Sequence, residues 1–187
     1  VATALDSDVR GAITTLDSSG SHSIFCGTQT KLYKYNSGTL TFDDVSTAAT
    51  TYNVPSGYNW SFHQWGDFLL ATNENDGLYK YDLTGGSAFV EVTAAPHARA
   101  VTNVGEYVVL LYISGSPTRV QWSEIGDVDN WTVGNNGADF QDFPDGGDVR
   151  AALGSEGGAI ILQQKGIRKM DYTGGDFTFA FSKISSS

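Results

Sequence analysis

Leu32-Tyr33-Lys34-Tyr35 and Leu78-Tyr79-Lys80-Tyr81 are one tetrapeptide used twice, and their surroundings decide the fold. Each follows an apolar run and a turn rich in Gly, Asp and Asn. Each precedes another turn and a last strand-like run. Arg119-Val120-Gln121-Trp122 and Ile167-Arg168-Lys169-Met170 hold the corresponding places in two further stretches. The tetrapeptides start at residues 32, 78, 119 and 167, which is 46, 41 and 48 residues apart. A period of ~40–50 residues filled with strand patterns is the signature of a β-propeller with four strands per blade. The expected fold is therefore all-β: a β-propeller-like array of four antiparallel four-stranded blades, complete in itself or part of a larger propeller. The units span residues 6–46, 57–93, 97–134 and 147–184 of a single domain, 1–187. A β-sandwich also repeats short strands, but the matched order inside all four units favours blades.

The strands can be read one by one. First strands are Val9-Arg10-Gly11-Ala12-Ile13, Trp60-Ser61-Phe62-His63-Gln64-Trp65, Arg99-Ala100-Val101-Thr102-Asn103-Val104 and Val149-Arg150-Ala151-Ala152-Leu153. The first and fourth units both open on Asp-Val-Arg, at Asp8 and Asp148. Second strands are Ser23-Ile24-Phe25-Cys26, Phe68-Leu69-Leu70-Ala71-Thr72, Tyr107-Val108-Val109-Leu110-Leu111 and Ala159-Ile160-Ile161-Leu162. Their near-continuous apolar character predicts strands covered on both faces. The tetrapeptides are third strands. Fourth strands are Thr41-Phe42-Asp43-Asp44-Val45, Phe89-Val90-Glu91-Val92, Asn130-Trp131-Thr132-Val133 and Phe177-Thr178-Phe179-Ala180-Phe181. Asn36-Ser37-Gly38 and Asn73-Glu74-Asn75-Asp76-Gly77 supply hairpin turns, because Asn and Gly tolerate positive φ. Tyr172-Thr173-Gly174-Gly175-Asp176 mirrors Asp82-Leu83-Thr84-Gly85-Gly86 as a turn. No stretch carries a helical period over ten residues.

Composition narrows function. The chain has 187 residues, 21 Asp and Glu against 11 Lys and Arg, and a net charge of −10. No basic stripe exists to neutralise phosphates, so tight nucleic-acid binding is not expected, nor is attraction to anionic membranes. No apolar run approaches the ~18–20 residues that a spanning helix needs, so no membrane insertion is expected, and no signal segment is seen. The single cysteine, Cys26, excludes an intrachain disulfide and reads as a small buried hydrophobe. Asn59-Trp60-Ser61 and Asn130-Trp131-Thr132 match the glycosylation tripeptide, a pattern that chance produces often. A four-blade array ending with its fourth unit leaves sheet faces and edges open. The expectation is that the chain is a portion of a longer polypeptide or that partners cover its ends.

His22, His63 and His97 lie in three different units without metal-ligand spacing. Asp127, Asp129, Asp139, Asp142, Asp145 and Asp148 are the densest carboxylates, and several oxygens close together suit Ca²⁺. Asp127-Val128-Asp129 begins like an EF-hand loop, but Trp131 and Thr132 stand where a ligand and a Gly are needed. Asp residues closing turns in an acidic loop explain the region better. No spacing fixes a glycosidase carboxylate pair. No nucleophile elbow or phosphate loop occurs. Trp60, Trp65, Trp122, Trp131 and the nine tyrosines could form a sugar-stacking face, but rings at repeat-equivalent strand positions fit the wedge between blades better. The expected sets of catalytic, cofactor-binding and metal-binding residues are therefore empty, and no cofactor is expected. Ser123 through Trp131 resembles the Asp-box turn of sialidase propellers only loosely, since its acids are misplaced and it occurs once.

An ordered series of short motifs carries a more specific resemblance. Trp60-Ser61-Phe62-His63-Gln64-Trp65-Gly66-Asp67 comes first, then Ala71-Thr72-Asn73 and Ala95-Pro96-His97-Ala98-Arg99. Val120-Gln121-Trp122-Ser123-Glu124-Ile125-Gly126-Asp127-Val128-Asp129-Asn130-Trp131 follows, then Ala138-Asp139-Phe140-Gln141 through Asp145-Gly146-Gly147. The series, from about residue 27 to 184, resembles the propeller region of tailed-bacteriophage structural proteins, of the tail hub or head–tail junction type of short-tailed phages. That resemblance implies a non-enzymatic virion component, made in the host cytoplasm and built in several copies around the DNA exit path. Its partners would be other copies of itself and other tail proteins. An acidic wall would repel passing DNA. The alternative is a carbohydrate- or protein-binding propeller module, either on its own or within a glycan-directed enzyme.

Overall fold

A computed structural model describes residues 5–48, 50–175 and 177–186. Asp176, the end of one expected turn, lies outside them. The chain divides into two compact units, Val1–Val92 and Thr93–Ser187, each holding two repeats. Among the described residues every regular element is a β-strand except one 3₁₀ turn, Pro144–Gly146.

The first unit holds blades 1 and 2. Blade 1 is β1 (Ala12–Leu16), β2 (His22–Gly27), β3 (Leu32–Asn36) and β4 (Thr41–Asp44). Blade 2 is β5 (Ser61–Trp65), β6 (Phe68–Asn73), β7 (Gly77–Asp82) and β8 (Val90–Glu91). Each is an antiparallel sheet in sequence order. The second unit holds blade 3, with β9 (Ala98–Val104), β10 (Tyr107–Ile113), β11 (Ser116–Trp122) and β12 (Asp139–Asp142). Blade 4 follows with β13 (Val149–Gly154), β14 (Gly158–Gln163), β15 (Gly166–Tyr172) and β16 (Phe179–Ser186), again antiparallel and in order. The expected four antiparallel four-stranded blades are what the chain forms.

Strand alternation gives each repeat tetrapeptide two faces. In β3, Leu32 pairs with Gly27 and Lys34 with Phe25, and this front face meets blade 2. The Lys34 ammonium lies over the rings of Phe25 and Tyr81, at 5.6 and 5.2 Å. In β7 the same tetrapeptide presents Tyr79 and Tyr81 to blade 1 from its back face, beside Leu69 and Ala71. The front of one blade and the back of the next thus close a core around Phe25, Trp60, Tyr52 and Phe89. The second unit repeats the plan. Val109, Leu111, Val120 and Trp122 meet Ala159, Ile161, Met170 and Phe179.

Four expectations need correction. First, blade 3 ends on Asp139–Asp142, not on Asn130-Trp131-Thr132-Val133, so it runs past the expected unit end at 134. Residues 123–138 form a loop closed on itself: Glu124 N–H donates to Asn130 O (2.9 Å), Gly134 N–H to Ala138 O (2.8 Å) and Trp131 Nε1 to Val128 O (2.7 Å). Trp131 is buried by that loop instead of by a strand. Second, Val120 and Trp122, not Arg119 and Gln121, take the front positions of Leu32 and Lys34. The register pairs Val120 with Leu111 and Trp122 with Val109. Toward the hairpin the β10–β11 register shifts by two, so residues 117–119 of β11 stand opposite Tyr112 alone, whose φ is 57°. Third, Asp8-Val9-Arg10 precedes its strand, which starts at Ala12, whereas Val149 opens β13. Arg10 is held instead by the Val54 and Pro55 carbonyls (3.1 and 3.0 Å). Fourth, only β6 and β10 are covered on both faces; Ile24 in β2 and Leu162 in β14 remain 42% and 37% exposed.

Candidate functional site

The acidic region does not converge. Asp127 closes a turn by accepting Asp129 N–H at 2.8 Å, and Asp139 accepts Phe140 N–H at 2.8 Å. Asp142 takes Arg119 in a two-pronged bond, Nε to Oδ1 at 2.8 Å and Nη2 to Oδ2 at 2.9 Å, with the guanidinium 3.7 Å over Phe140. The Arg119 bond holds the Asp142 carboxyl below its ordinary range, against a smaller opposing effect of burial. Asp145 accepts from Arg168 and from Lys183 (3.3 Å), and Asp148 pairs with Arg150 (3.3 Å). Among the described residues no three His, Cys, Asp or Glu side chains group to hold a metal. His22 and His97 are exposed and His63 is half-buried, His22 and His63 in the first unit and His97 in the second.

Cys26 is buried in β2, and burial raises its thiol pKa, which keeps it protonated and inert. Of the four tryptophans, Trp60, Trp122 and Trp131 are buried, while Trp65 is half-buried and stacks on Phe68. Trp60 Nε1 donates to Thr28 O at 2.8 Å and Trp122 Nε1 to Gly137 O at 2.7 Å, so these rings wedge blades together. Burial raises Tyr79 well above a normal phenol, with Glu91 adding to it.

One carboxylate that sequence reasoning passed over is Glu124, 5% exposed in the blade 3 loop. It accepts from Asn135 Nδ2 and, at 3.0 Å, from Asn136 Nδ2. Amide donors satisfy the buried charge and fix the loop. The sequence signal was the pairing of an acid with Asn-Asn eleven residues on.

Concave surface is modest. In the second unit a cleft of ≈ 300 Å³ runs between β12 and β16, with Trp122, Phe140, Phe177 and Phe181 along it and Asp139 and Gln141 at its rim. In the first unit a polar cleft of ≈ 450 Å³ is lined by His22, Lys34, Tyr35, Asp43 and Asp44. More conspicuous are two open sheet faces. The back of blade 1 exposes Leu16 (48%) and Ile24; the front of blade 4 exposes Leu153 (75%) and Leu162.

No protein-family model and no curated protein matches the chain. Among solved structures, the extracellular domain of a protein described as a hybrid two-component system of B. thetaiotaomicron is similar over 88% of this chain, with a TM-score of 0.53 and 19% identity. The chain spans only 22% of that protein's length. At this identity the likeness concerns the fold, and it agrees with the propeller-like blades described above. No helix among the described residues is long and apolar enough to cross a membrane.

Proposed function

We propose that this chain is a non-enzymatic structural module of a bacteriophage virion, in the tail or head–tail connector, assembled with further copies of itself and with other tail proteins around the DNA exit path. The observation that carries the reading is the pair of open blade faces, aliphatic and ordered, which ask for further blades or partners. The ordered motif series from Trp60 to Gly147 supplies the virion setting. The acidic composition suits a wall that repels passing DNA instead of gripping it, and gives no basis for membrane insertion. Mass spectrometry and imaging of native particles test the reading. The chain should occur at a fixed copy number in the tail region; its absence from particles would sink the idea. No group here is assigned catalysis. Polysaccharide hydrolysis by the chain that is lost in Asp127→Asn or Asp129→Asn would overturn that assignment.

The cleft between β12 and β16 favours a second reading, a carbohydrate- or protein-binding module, since exposed rings beside planar polar groups suit sugars. Retention on a glycan column that Phe177→Ala abolishes would replace the virion reading with this one.

A further inference from the structure

We propose that the front of blade 4 in one copy seats on the back of blade 1 in a second copy, reproducing the packing of blade 1 against blade 2 with Lys169 in the place of Lys34. The inference rests on the assembly reading above and names its surfaces.

The argument is one of equivalence inside a single chain. The front of blade 1 pairs Phe25 with Lys34 and Gly27 with Leu32. The front of blade 4 pairs Ile160 with Lys169 and Leu162 with Ile167. An aliphatic residue and a lysine thus recur in the third strand, beside two apolar or small positions in the second. The first strand matches as well: Ile13 faces Phe25, and Leu153 faces Ile160. In blade 1 this face is closed by blade 2. In blade 4 it is open, and Leu153 is its most exposed member.

The receiving face shows the same correspondence. The back of blade 2 carries Tyr81 against Phe89, ring centroids 5.3 Å apart at 56°. The back of blade 1 carries Tyr35 against Phe42, 5.4 Å apart at 57°. Leu69 stands beside Tyr81, and Ile24 falls at the matching place in β2, next to the Cys26–Tyr33 pair. In blade 2 the pair is buried under Phe25, which meets both rings edge-on, and under the Lys34 ammonium. In blade 1 Tyr35 and Phe42 are only half-buried and Ile24 is exposed. A face built to receive an aliphatic residue and a lysine is therefore present without its cover, and the chain carries the complementary face elsewhere. Stacked sheets pack ~10 Å apart, and a lysine over an aromatic face gains from the ring's quadrupole.

Charge points the same way. Residues 147–184 hold five of the eleven Lys and Arg residues (Arg150, Lys165, Arg168, Lys169, Lys183) against four acids, whereas residues 6–46 hold three against five. The contact joins the least acidic repeat to an acidic one. It is heterologous, since each copy offers one face and receives on the other, so it extends into a ring or an array.

Sedimentation velocity on the whole chain over a concentration series tests this. Wild type should grow beyond a dimer. Leu162→Glu disables the front of blade 4, and Ile24→Glu disables the back of blade 1. Each variant alone should stay at the mass of one chain, with the far-UV spectrum and melting temperature of wild type. An equimolar mixture of the two should form a dimer and stop there. Lys169→Met should keep the contact but weaken it about fivefold, in line with a cation–π interaction of ~1 kcal/mol. If wild type is monomeric at every concentration, or if Ile24→Glu alone still dimerises, the inference is overturned. Assembly untouched by either variant would overturn it too, and would leave the virion reading standing on other surfaces. Particles lacking the chain would remove that reading itself.

Discussion

The two units build the same blade pair but insert their extra chain at different places. In the first, residues 45–60 connect blade 1 to blade 2 and send Tyr52 and Val54 into the core, where Tyr52 meets Trp60 and Tyr79 edge-on at 5.0 and 4.9 Å. In the second, blade 3 passes to blade 4 through one 3₁₀ turn, and the insertion is residues 123–138, inside blade 3 before its last strand. Both insertions end in one device: a carbonyl at a tight point accepts a tryptophan N–H, Thr28 O for Trp60 and Gly137 O for Trp122. A repeat fixes which faces meet; the position of an insertion is free provided that it closes the wedge.

The strongest way to break this comparison is at the points of closest approach. A Cβ at Gly154 would lie 1.7 Å from Asn103 O, which is backbone in a paired strand. A Cβ at Gly27 would lie 2.3 Å from Trp60 Cδ1, a side chain. Gly154→Ala should therefore cost more, ~3 kcal/mol or above, and Gly27→Ala ~2 kcal/mol, with overpacking as the cause in both. Denaturant unfolding measures both values; a reversed order would show that the strand at Asn103 yields more easily than the indole.

Next come the tryptophans. Trp60→Phe and Trp122→Phe each remove buried volume and one hydrogen bond, for a loss of ~2–3 kcal/mol, with Gly137 O keeping its bond from Thr178 Oγ1 (2.8 Å). Similar losses would establish that the two wedges do equal work, and a gap above ~1 kcal/mol would assign one unit the stiffer insertion.

The ion pairs sharpen the contrast by pH. Arg119 holds Asp142 below the ordinary carboxyl range, so the folded pKa lies under the unfolded one. That stability is complete above the unfolded value and is lost as pH falls through the lowered folded value. In the first unit burial is the largest single influence on Asp44 and raises it, but the hydrogen bonds from Lys31 (2.7 Å) and Ser46 together outweigh burial and lower the carboxyl, with the same sign. Both pairs are partly exposed, so each contributes at most ~1 kcal/mol. Acid titration of Arg119→Met should lose the larger share of the low-pH limb, because the two-pronged bond and the Phe140 ring are lost together. The smallest effect is expected at Leu40, which takes φ 55° and is 68% exposed. Leu40→Gly should stabilise by a few tenths up to ~1 kcal/mol in a melting experiment.

The blade plan was legible because apolar runs and recurring tetrapeptides report local backbone and burial. Second and third strands are placed within a few residues for all four repeats. The fourth strand of blade 3 was not legible: Asn130-Trp131-Thr132-Val133 looks like a strand, and only the bonds of the loop to itself show Trp131 buried without pairing. The facing positions of β11 were equally hidden, since they follow from a register that pairs Val120 with Leu111 and Trp122 with Val109. The turn after β3 also differs. Asn36 Oδ1 caps Gly38 N–H at 3.0 Å, but the left-handed backbone falls on Leu40, because the chain needs two more residues before β4. The open faces could be anticipated as a category; the Tyr35–Phe42 and Tyr81–Phe89 match needed coordinates.

Glu124 sets a limit on how this protein ages. Its charge is satisfied by two side-chain amides, and Asn136 is followed by Gly137, a neighbour that leaves the backbone nitrogen free to attack the amide carbon. Hydrolytic loss of that amide would turn a donor into a carboxylate facing another carboxylate, in a loop with no cation bonded to either. The damage would be chemical in origin and electrostatic in effect. Storage at alkaline pH should convert Asn136 first, seen by peptide mass mapping, with protease sensitivity rising at residues 123–138 before any other segment opens.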